Sequence, residues 1–196
     1  MGETTDVERA LAAATRDLAA SRRPFALVGG LAVSTRAEVR FTRDLDFAVV
    51  VSEDREAEEL VLALRSAGYS PVATVEQEAR SRLATVRLMS PHGVKVDLLF
   101  ASSGIEREAA ERATPVKLPA AGDIPVARAE ELLAMKVLSM TPQRLQDRLD
   151  GRSLLACNPG IDLDCVRENL RLVRERGFDR GEDLEAKLEE LLRDMR

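Results

Sequence analysis

The chain has 196 residues, of which 45% are hydrophobic and 32% charged, and a net charge of −5. This length and composition indicate one globular domain, or one domain with a small appendage. The acidic balance excludes a general polyanion-binding protein but is compatible with a local basic footprint. Aromatic residues are scarce (3%) and Trp is absent, which argues against extended base-stacking platforms. One His and two Cys without ligand spacing argue against a zinc site. No signal peptide or membrane-length apolar run is visible, so we expect a cytoplasmic protein without membrane contact.

Apolar periodicity, capping residues and turn residues predict the elements in chain order. The first part alternates helix 4–21, strand 25–28, short helix 31–39, strand 44–51, helix 52–68 with a Ser cap, strand 70–75, and a hairpin of strands 82–90 and 94–101. The proline-containing segment 114–127 is expected to run extended across the surface, before helices at 127–140, 142–156, 161–177 and 183–195. We therefore predict an α/β (α+β) fold. A small mixed sheet flanked by helices occupies residues 1–113, and a helical C-terminal region occupies 114–196.

The first candidate site residues, Asp44 and Asp46, open the second predicted strand. Side chains alternate along a strand, so these two carboxylates project together while Leu45 and Phe47 point to the opposite side. Adjacent carboxylates repel each other, and a divalent cation readily neutralises such a pair. The pattern is typical of a metal-dependent phosphoryl-transfer site. The alternative is an exposed strand start in which the aspartates pair with neighbouring arginines.

A third carboxylate, Asp97, lies on a later predicted strand. If that strand lies beside the one carrying Asp44 and Asp46, the three carboxylates would hold two Mg²⁺ ions. One ion would activate an acceptor hydroxyl and the other would bind a nucleoside triphosphate (NTP). Asp97 would act as the general base or as the ligand that lowers the pKa of the hydroxyl. Gly29 and Gly30 would let a helix N-terminus approach the phosphates.

Each of these assignments has a plainer alternative. Asp97 is also placed to pair with Lys95 or Arg87 on an exposed sheet face. The two glycines are also compatible with an ordinary strand-to-helix turn. Arg36, Arg40, Arg80, Arg82 and Arg87 form either a basic rim for nucleic acid or a scattered, solvated face.

The order of these motifs resembles the DNA polymerase beta nucleotidyltransferase superfamily and, more closely, the AbiEii-type nucleotidyltransferase toxins, including the MenT toxins. The first motif of that group is similar to VGGLAVSTRAEVRFTRDLDF, and the second to VKVDLLF. The third is similar to AEELLAMKVLSM, which contains Lys136, and the fourth to RLQDRLDGRSLL, which contains Asp147. The resemblance extends in the right order from Phe25 to Leu155.

The resemblance implies a Mg²⁺-dependent toxin of a toxin–antitoxin pair that transfers a nucleoside monophosphate (NMP), from a pyrimidine NTP, to the 3′ end of tRNA. Lys136 would contact the triphosphate, and Asp147 would support it or the acceptor. The chain departs from the family pattern at Gln146, where many relatives carry a second basic residue. Asp150 competes with Asp147 for the role of the fourth-motif aspartate.

Three further residues near these motifs complete the predicted site. Ser34 either binds a phosphate or is an ordinary helix-surface serine. Arg43 is assigned to nucleotide binding because it lies beside Asp44. Thr42 is a candidate regulatory residue, because a phosphoryl group there would add about two negative charges and repel the triphosphate. A cognate antitoxin protein or a kinase is the expected partner.

Two rival functions share the same sequence features. One is an enzyme with another acceptor, either an aminoglycoside hydroxyl or a protein side chain. The excess of Asp and Glu over Lys and Arg, 34 against 29, is compatible with a polycationic substrate. The other rival is a non-catalytic nucleotide-binding module, against which the three retained aspartates argue.

Overall fold

The computed structural model describes residues 5–77, 82–118 and 121–195. The helices are α1 (Asp6–Ala20), α2 (Gly29–Arg36), α3 (Asp54–Ser66), α4 (Glu106–Glu111), α5 (Ala129–Ser139), α6 (Leu145–Cys157), α7 (Leu163–Glu175) and α8 (Leu184–Arg193). The strands are β1 (Phe25–Val28), β2 (Asp44–Val49), β3 (Ser70–Gln77), β4 (Arg82–Met89), β5 (Lys95–Leu99), β6 (Thr114–Leu118) and β7 (Gly122–Val126). The predicted mixed α/β class is confirmed.

The described strands form one mixed sheet in the order β3-β4-β5-β2-β1-β7-β6. Strand β2 pairs parallel with β5 and antiparallel with β1. Strands β4 and β5 form the predicted antiparallel hairpin. Strand β3 pairs antiparallel with β4 and forms the edge of the sheet. Parallel neighbours need a crossover connection, and here the chain supplies it between β2 and β5 through α3 and the β3–β4 pair. This order brings β2, the strand of the paired aspartates, to the middle of the sheet.

Local capping chemistry sets several helix starts. The Thr5 side chain accepts from the backbone N–H of Glu8, whose carboxylate in turn accepts from Thr5 N–H, so α1 begins with a capping box. The Asp162 carboxylate caps α7. The predicted serine cap of α3 is wrong, because the N-cap position is Glu53 and no side chain caps it.

Segment 114–127 does not lie as an extended surface run, because it folds into the β6–β7 hairpin and joins the sheet. Leu27 of β1 pairs with Val126 of β7 in parallel register, and Ile124 and Val126 are buried. Pro115 and Pro125 are tolerated because the hairpin is at the sheet edge, where few ladder hydrogen bonds are required. The sheet therefore continues past residue 113, the boundary drawn from sequence.

Helix α5 links the sheet to the C-terminal helices. It packs against α2 and against α6, α7 and α8. Its residues are buried on all sides, as expected for a helix that lies between the sheet with α2 on one side and the C-terminal helices on the other. No helix in the described part of the chain is long and apolar enough to cross a membrane.

Candidate active site

The sheet register places four residues side by side across β1, β2, β5 and β4. Val28 is opposite Asp46, Asp46 is opposite Asp97, and Asp97 is opposite Arg87. Directly opposed residues share a face of the sheet. The sequence analysis required the strand of Asp97 to lie beside the strand of Asp44 and Asp46. That pairing is present, and it brings the third carboxylate beside the first two.

Strand β2 alternates as its sequence predicts. Leu45 and Phe47 are fully buried, whereas Asp44 and Asp46 are only partly buried and line a pocket. The pocket has a volume of about 630 Å³ and lies between the sheet and the helical layer. Its charged lining consists of Asp44, Asp46, Asp97, Asp147, Arg40, Arg87, Lys136, Arg144 and Arg180.

Gly29 and Gly30 begin α2 immediately after β1, and each has a steric reason to be glycine. Gly29 has φ +66°, and a Cβ at this position would overlap the Asp46 carboxylate. A Cβ on Gly30 would lie 2.5 Å from Nη2 of Arg40. The helix N-terminus can therefore lie directly against the carboxylates, and both glycines line the pocket.

The three carboxylates differ in their electrostatic surroundings. Burial and the negative charges of Asp97 and Asp44 raise the pKa of Asp46 to about 6, against the lowering effect of Lys136 and Arg87. Asp97 instead accepts two hydrogen bonds from Arg87, at 2.7 and 2.6 Å. The plainer alternative for Asp97, an ion pair with Arg87, is therefore present within the pocket.

This pairing bears on metal binding. In residues 5–77, 82–118 and 121–195, no group of three or more Asp, Glu, His or Cys side chains is gathered closely enough to hold one ion. Asp44 and Asp46 remain as a mutually repelling pair, which is the donor set that a divalent cation suits. Asp97 would have to exchange Arg87 for a cation. The three predicted carboxylates thus lie on neighbouring strands, but in the described residues their side chains are not close enough together to bind one ion.

Lys136 connects α5 to α6 inside the same pocket. Its Nζ lies 2.9 Å from Asp147 Oδ1 and 2.7 Å from Asp150 Oδ2. Arg144 approaches the other oxygen of Asp147 at 2.8 Å. The two aspartates that compete for the fourth-motif role therefore both bind the same lysine, and only Asp147 also lines the pocket.

Asp150 is the more enclosed of the two aspartates and fixes the loop before β2. Arg40 donates two hydrogen bonds to it, at 2.7 and 2.8 Å, and Gln146 donates a third at 2.8 Å. Burial alone would raise the pKa of Asp150, but the bonds from Arg40, Lys136 and Gln146 outweigh it and hold the pKa below its usual value. Gln146, the residue at which the chain departs from the family pattern, thus helps to keep the Asp150 carboxylate ionised by donating a hydrogen bond to it.

Comparison with known families shows to which family the chain belongs. The sequence profile of the family described as nucleotidyl transferase AbiEii toxin, type IV toxin–antitoxin system, matches residues 9–194. The chain belongs to the AbiEii nucleotidyltransferase toxin family. No curated protein sequence matches the chain significantly.

Two solved structures agree with the nucleotidyltransferase fold. An antigenic nucleotidyltransferase-like protein from Paracoccidioides brasiliensis superposes with a TM-score of 0.50 at 18% identity, covering 94% of this chain and 92% of that protein. The antibiotic-resistance factor ANT(2'')-Ia superposes with a TM-score of 0.51 at 13% identity, covering 88% and 94%. The toxin MenT4 from Mycobacterium tuberculosis aligns over 100% of both chains at 15% identity, with a TM-score of 0.34. At these identities the first two likenesses concern the fold alone.

Two residues assigned from sequence do not enter the pocket of this AbiEii-family chain. The Ser34 hydroxyl donates to the carbonyl of Gly30 at 3.1 Å and accepts from Arg40 N–H at 3.3 Å. Arg43 is exposed, with its guanidinium 5.3 Å from the Phe41 ring centroid. Neither residue lines the pocket, and their assignment to nucleotide binding stays a prediction. Thr42 does line it, and its hydroxyl lies 3.5 Å from the carbonyl of Asp44.

The proposed basic rim is not a free cationic surface. Arg36 donates to the carbonyls of Ala127 and Val126 in the β7 region. Arg82 pairs with Asp54 at 3.0 Å, and Arg40 and Arg87 pair with Asp150 and Asp97. Arg80 lies outside the described residues. The described members of the set therefore have partners within the chain.

Sequence reasoning missed several pocket residues of the AbiEii-family site. Arg144 could have been found, because it is three residues before Asp147 on a predicted helix. Ser102 and Ser103 follow β5, and only the fold brings them to the pocket. Arg180 lies on the α7–α8 loop, well after the fourth motif ends at Leu155, and no local pattern indicates it.

Proposed function

We propose that this AbiEii-family enzyme transfers an NMP group from an NTP to the 3′-hydroxyl of tRNA, with Mg²⁺. The observation that carries the proposal is the register row in which Asp46 is flanked by Val28 of β1 and Asp97 of β5, with Gly29 against the Asp46 carboxylate. With Asp44, which lines the same pocket, this row combines an acidic pair, a third carboxylate and a helix N-terminus. Those are the groups that phosphoryl transfer requires.

The carboxylates would divide the chemistry between them. Asp44 and Asp46 would hold Mg²⁺, which neutralises charge on the triphosphate and lowers the pKa of the attacking hydroxyl when bound. Asp97, released from Arg87, would accept the proton of that hydroxyl. The hydroxyl oxygen forms a bond to the α-phosphorus, the bond from that phosphorus to the bridging oxygen breaks, and pyrophosphate leaves.

Backbone and side-chain cations would bind the triphosphate. The free N–H groups at the start of α2, from Gly29 and Gly30, can donate to phosphate oxygens, and the helix dipole favours negative charge there. Lys136 is held in the pocket by two aspartates and would share its protons with a phosphate. In this arrangement Asp147 positions Lys136, and Asp150 positions both Lys136 and Arg40.

The acceptor and the base are inferred from family membership. A tRNA 3′ end needs only a local footprint, so the net charge of −5 is compatible with it. A pyrimidine NTP is the proposed donor, and the cytoplasm, where tRNA resides, is the proposed location. A cognate antitoxin would oppose the activity.

Thr42 offers a site at which a kinase would silence the enzyme. Its hydroxyl lies in the pocket near Asp44. Phosphorylation would add about two negative charges beside the acidic pair and repel the triphosphate. The substitution Thr42→Glu is expected to lower transfer strongly, whereas Thr42→Val should retain most of it. Equal activity of Thr42→Glu and the unmodified protein in a label-transfer assay would refute the role.

The direct test is incubation of the purified protein with Mg²⁺, total tRNA and each α-³²P-labelled NTP in turn. We expect label in tRNA with a pyrimidine NTP, and none with Asp44→Ala. Parallel reactions contain an aminoglycoside or casein in place of tRNA. Label in either of those acceptors, with none in tRNA, would move the acceptor to the rival class. No pyrophosphate release with any acceptor would support the non-catalytic module.

A further inference from the structure

The cations that line the pocket are not equivalent. Lys136, Arg40, Arg87 and Arg144 each pair with an aspartate. In the described part of the chain the fifth, Arg180, has no ion-pair or hydrogen-bond partner for its side chain, although it lines the same pocket and is exposed. A cation left unpaired beside four aspartates is available to an anionic ligand.

The backbone at Arg180 is held in a conformation that an arginine rarely adopts. Arg180 has φ +57° and the following Gly181 has φ +73°. These two residues form the centre of a turn closed by a hydrogen bond from Glu182 N–H to Asp179 O at 3.0 Å. Gly, Asn and Asp are the residues that favour the first of these positions. A strained arginine at a pocket is therefore a candidate for a functional side chain.

The loop is anchored so that Arg180 faces the pocket. Phe178 packs directly on Gly104, where any Cβ would collide with the ring. Arg176 donates to the carbonyl of Gly104 at 2.5 Å and pairs with Glu108 at 2.7 Å. Rigid anchoring on one side lets the turn present a long side chain without ordering the whole loop on binding.

The loop of Arg180 is anchored on a different part of the fold from the α2 N-terminus. Gly29 borders β2 at Asp46, near the start of that strand. The turn that anchors the Arg180 loop is at Gly104, which follows β5 beyond Asp97. The Arg180 loop is thus anchored on the segment that follows β5, the strand of Asp97, whereas Gly29 packs against β2. Under the proposed function Asp97 accepts the proton of the acceptor hydroxyl, so anchoring on the segment after the Asp97 strand favours the acceptor, rather than the triphosphate, as the ligand of Arg180.

We propose that Arg180 binds a phosphate of the acceptor RNA strand next to the 3′-terminal hydroxyl. This inference rests on the proposed function. A polyanionic acceptor has to reach a hydroxyl position beside Asp44, Asp46 and Asp97, and an unpaired arginine offsets that repulsion. The same cation repels an aminoglycoside. Arg180 is thus a binding residue that selects an anionic acceptor.

The test compares Arg180→Gly with the unaltered full-length protein in steady-state label transfer to total tRNA. Glycine suits the positive φ, so this change removes the side chain without straining the turn. Arg22→Gly is the matched control, because Arg22 also has φ +57° and is exposed but does not line the pocket. Arg180→Lys keeps the charge and tests rescue.

We expect Arg180→Gly to raise KM for tRNA by about tenfold or more, since a charge-assisted phosphate contact is lost. The kcat and the KM for the NTP should stay within about twofold, as for an interaction made equally in ground and transition states. The slope of log KM for tRNA against log salt should fall by roughly 0.7–0.9. Arg180→Lys should recover part of the affinity, and Arg22→Gly should match the unaltered protein.

Two results would overturn the inference while leaving the proposed function in place. One is an unchanged KM for tRNA in Arg180→Gly. The other is a rise in KM for the NTP instead, which would place Arg180 on the triphosphate. If the unaltered protein transfers no label to tRNA, the proposed function fails first and this inference fails with it.

Discussion

At the scale of single residues, the site depends on the close approach of Gly29 to Asp46. The glycine permits a positive φ and leaves room for the carboxylate, so a helix N-terminus and an acidic pair can lie in contact. The carboxylate is kept there at an electrostatic cost, because burial and two neighbouring aspartates raise its pKa to about 6. Function and stability are therefore opposed at this residue.

Gly29→Ala tests the steric part of this arrangement. An alanine must adopt φ +66° and also displace the Asp46 carboxylate. We expect a loss of more than about 2 kcal/mol in the free energy of unfolding, together with loss of transfer activity. Gly93→Ala is the matched control, because Gly93 has φ +72° but open space around its Cβ position, and it should lose only about 1 kcal/mol. Urea unfolding measures both, and equal losses would contradict the packing argument.

Asp46→Asn tests the electrostatic part. Removal of a buried, repelled charge should raise the free energy of unfolding of the metal-free protein by on the order of 1 kcal/mol. The same change should lower nucleotidyl transfer by about a thousandfold, since a metal ligand is lost. Asp123→Asn, at an exposed position of the β6–β7 hairpin, is the control and should alter neither quantity. A lower free energy of unfolding for Asp46→Asn than for the unaltered protein, both measured in EDTA, would refute the proposed repulsion between Asp46 and its neighbouring carboxylates.

At the scale of secondary-structure elements, ion pairs hold α5, α6 and the loop before β2 around the pocket. Lys136 of α5 reaches two aspartates of α6, and one of these, Asp150, also holds Arg40 of the loop. The Asp150 side chain is only 1% exposed. Breaking a buried pair on one side leaves an uncompensated charge, which costs more than a surface pair contributes. Asp150 is therefore chiefly a structural residue, whereas Asp147 lines the pocket and is the proposed site residue.

Asp147→Asn and Asp150→Asn should separate these roles. We expect Asp150→Asn to lower the free energy of unfolding by about 2–4 kcal/mol, because Arg40 and Lys136 both lose a charged partner. Asp147→Asn should lower the free energy of unfolding less than Asp150→Asn does, since Lys136 still pairs with Asp150. Relative to the stability lost, Asp147→Asn should lower the transfer rate more than Asp150→Asn does. Urea titration with a parallel activity assay measures both. The reverse order of stabilities would reassign the two aspartates.

The same variant has a defined pH signature. The folded-state pKa of Asp150 lies below its ordinary value of 3.8, so its stabilising contribution is complete above that value. The contribution is lost as the pH falls through the lower, folded-state pKa. Asp150→Asn carries no such group and should lose less stability than the unaltered protein as the pH falls below about 4. Parallel acid-unfolding curves for the two proteins would contradict the assignment.

At the scale of the whole molecule, the parts predictable from sequence were those fixed by local periodicity. Alternation along β2 predicted that Asp44 and Asp46 share a face, and hydrophobic spacing predicted the helices that follow residue 127. The β6–β7 hairpin was missed because its prolines suggest loop, whereas pairing with β1 is a long-range contact. Charge partners such as Arg40 with Asp150, 110 residues apart, depend on the tertiary fold and leave no local pattern.

The most direct measurement of the central claim compares two tRNA acceptors that differ in one atom. One ends in a normal 3′-hydroxyl and the other in a 3′-deoxyribose, and each is incubated with the protein, Mg²⁺ and the α-³²P-labelled NTP that the protein uses. We predict label only in the first, in a product one or a few nucleotides longer. Equal labelling of both would contradict attack by the 3′-hydroxyl at this pocket.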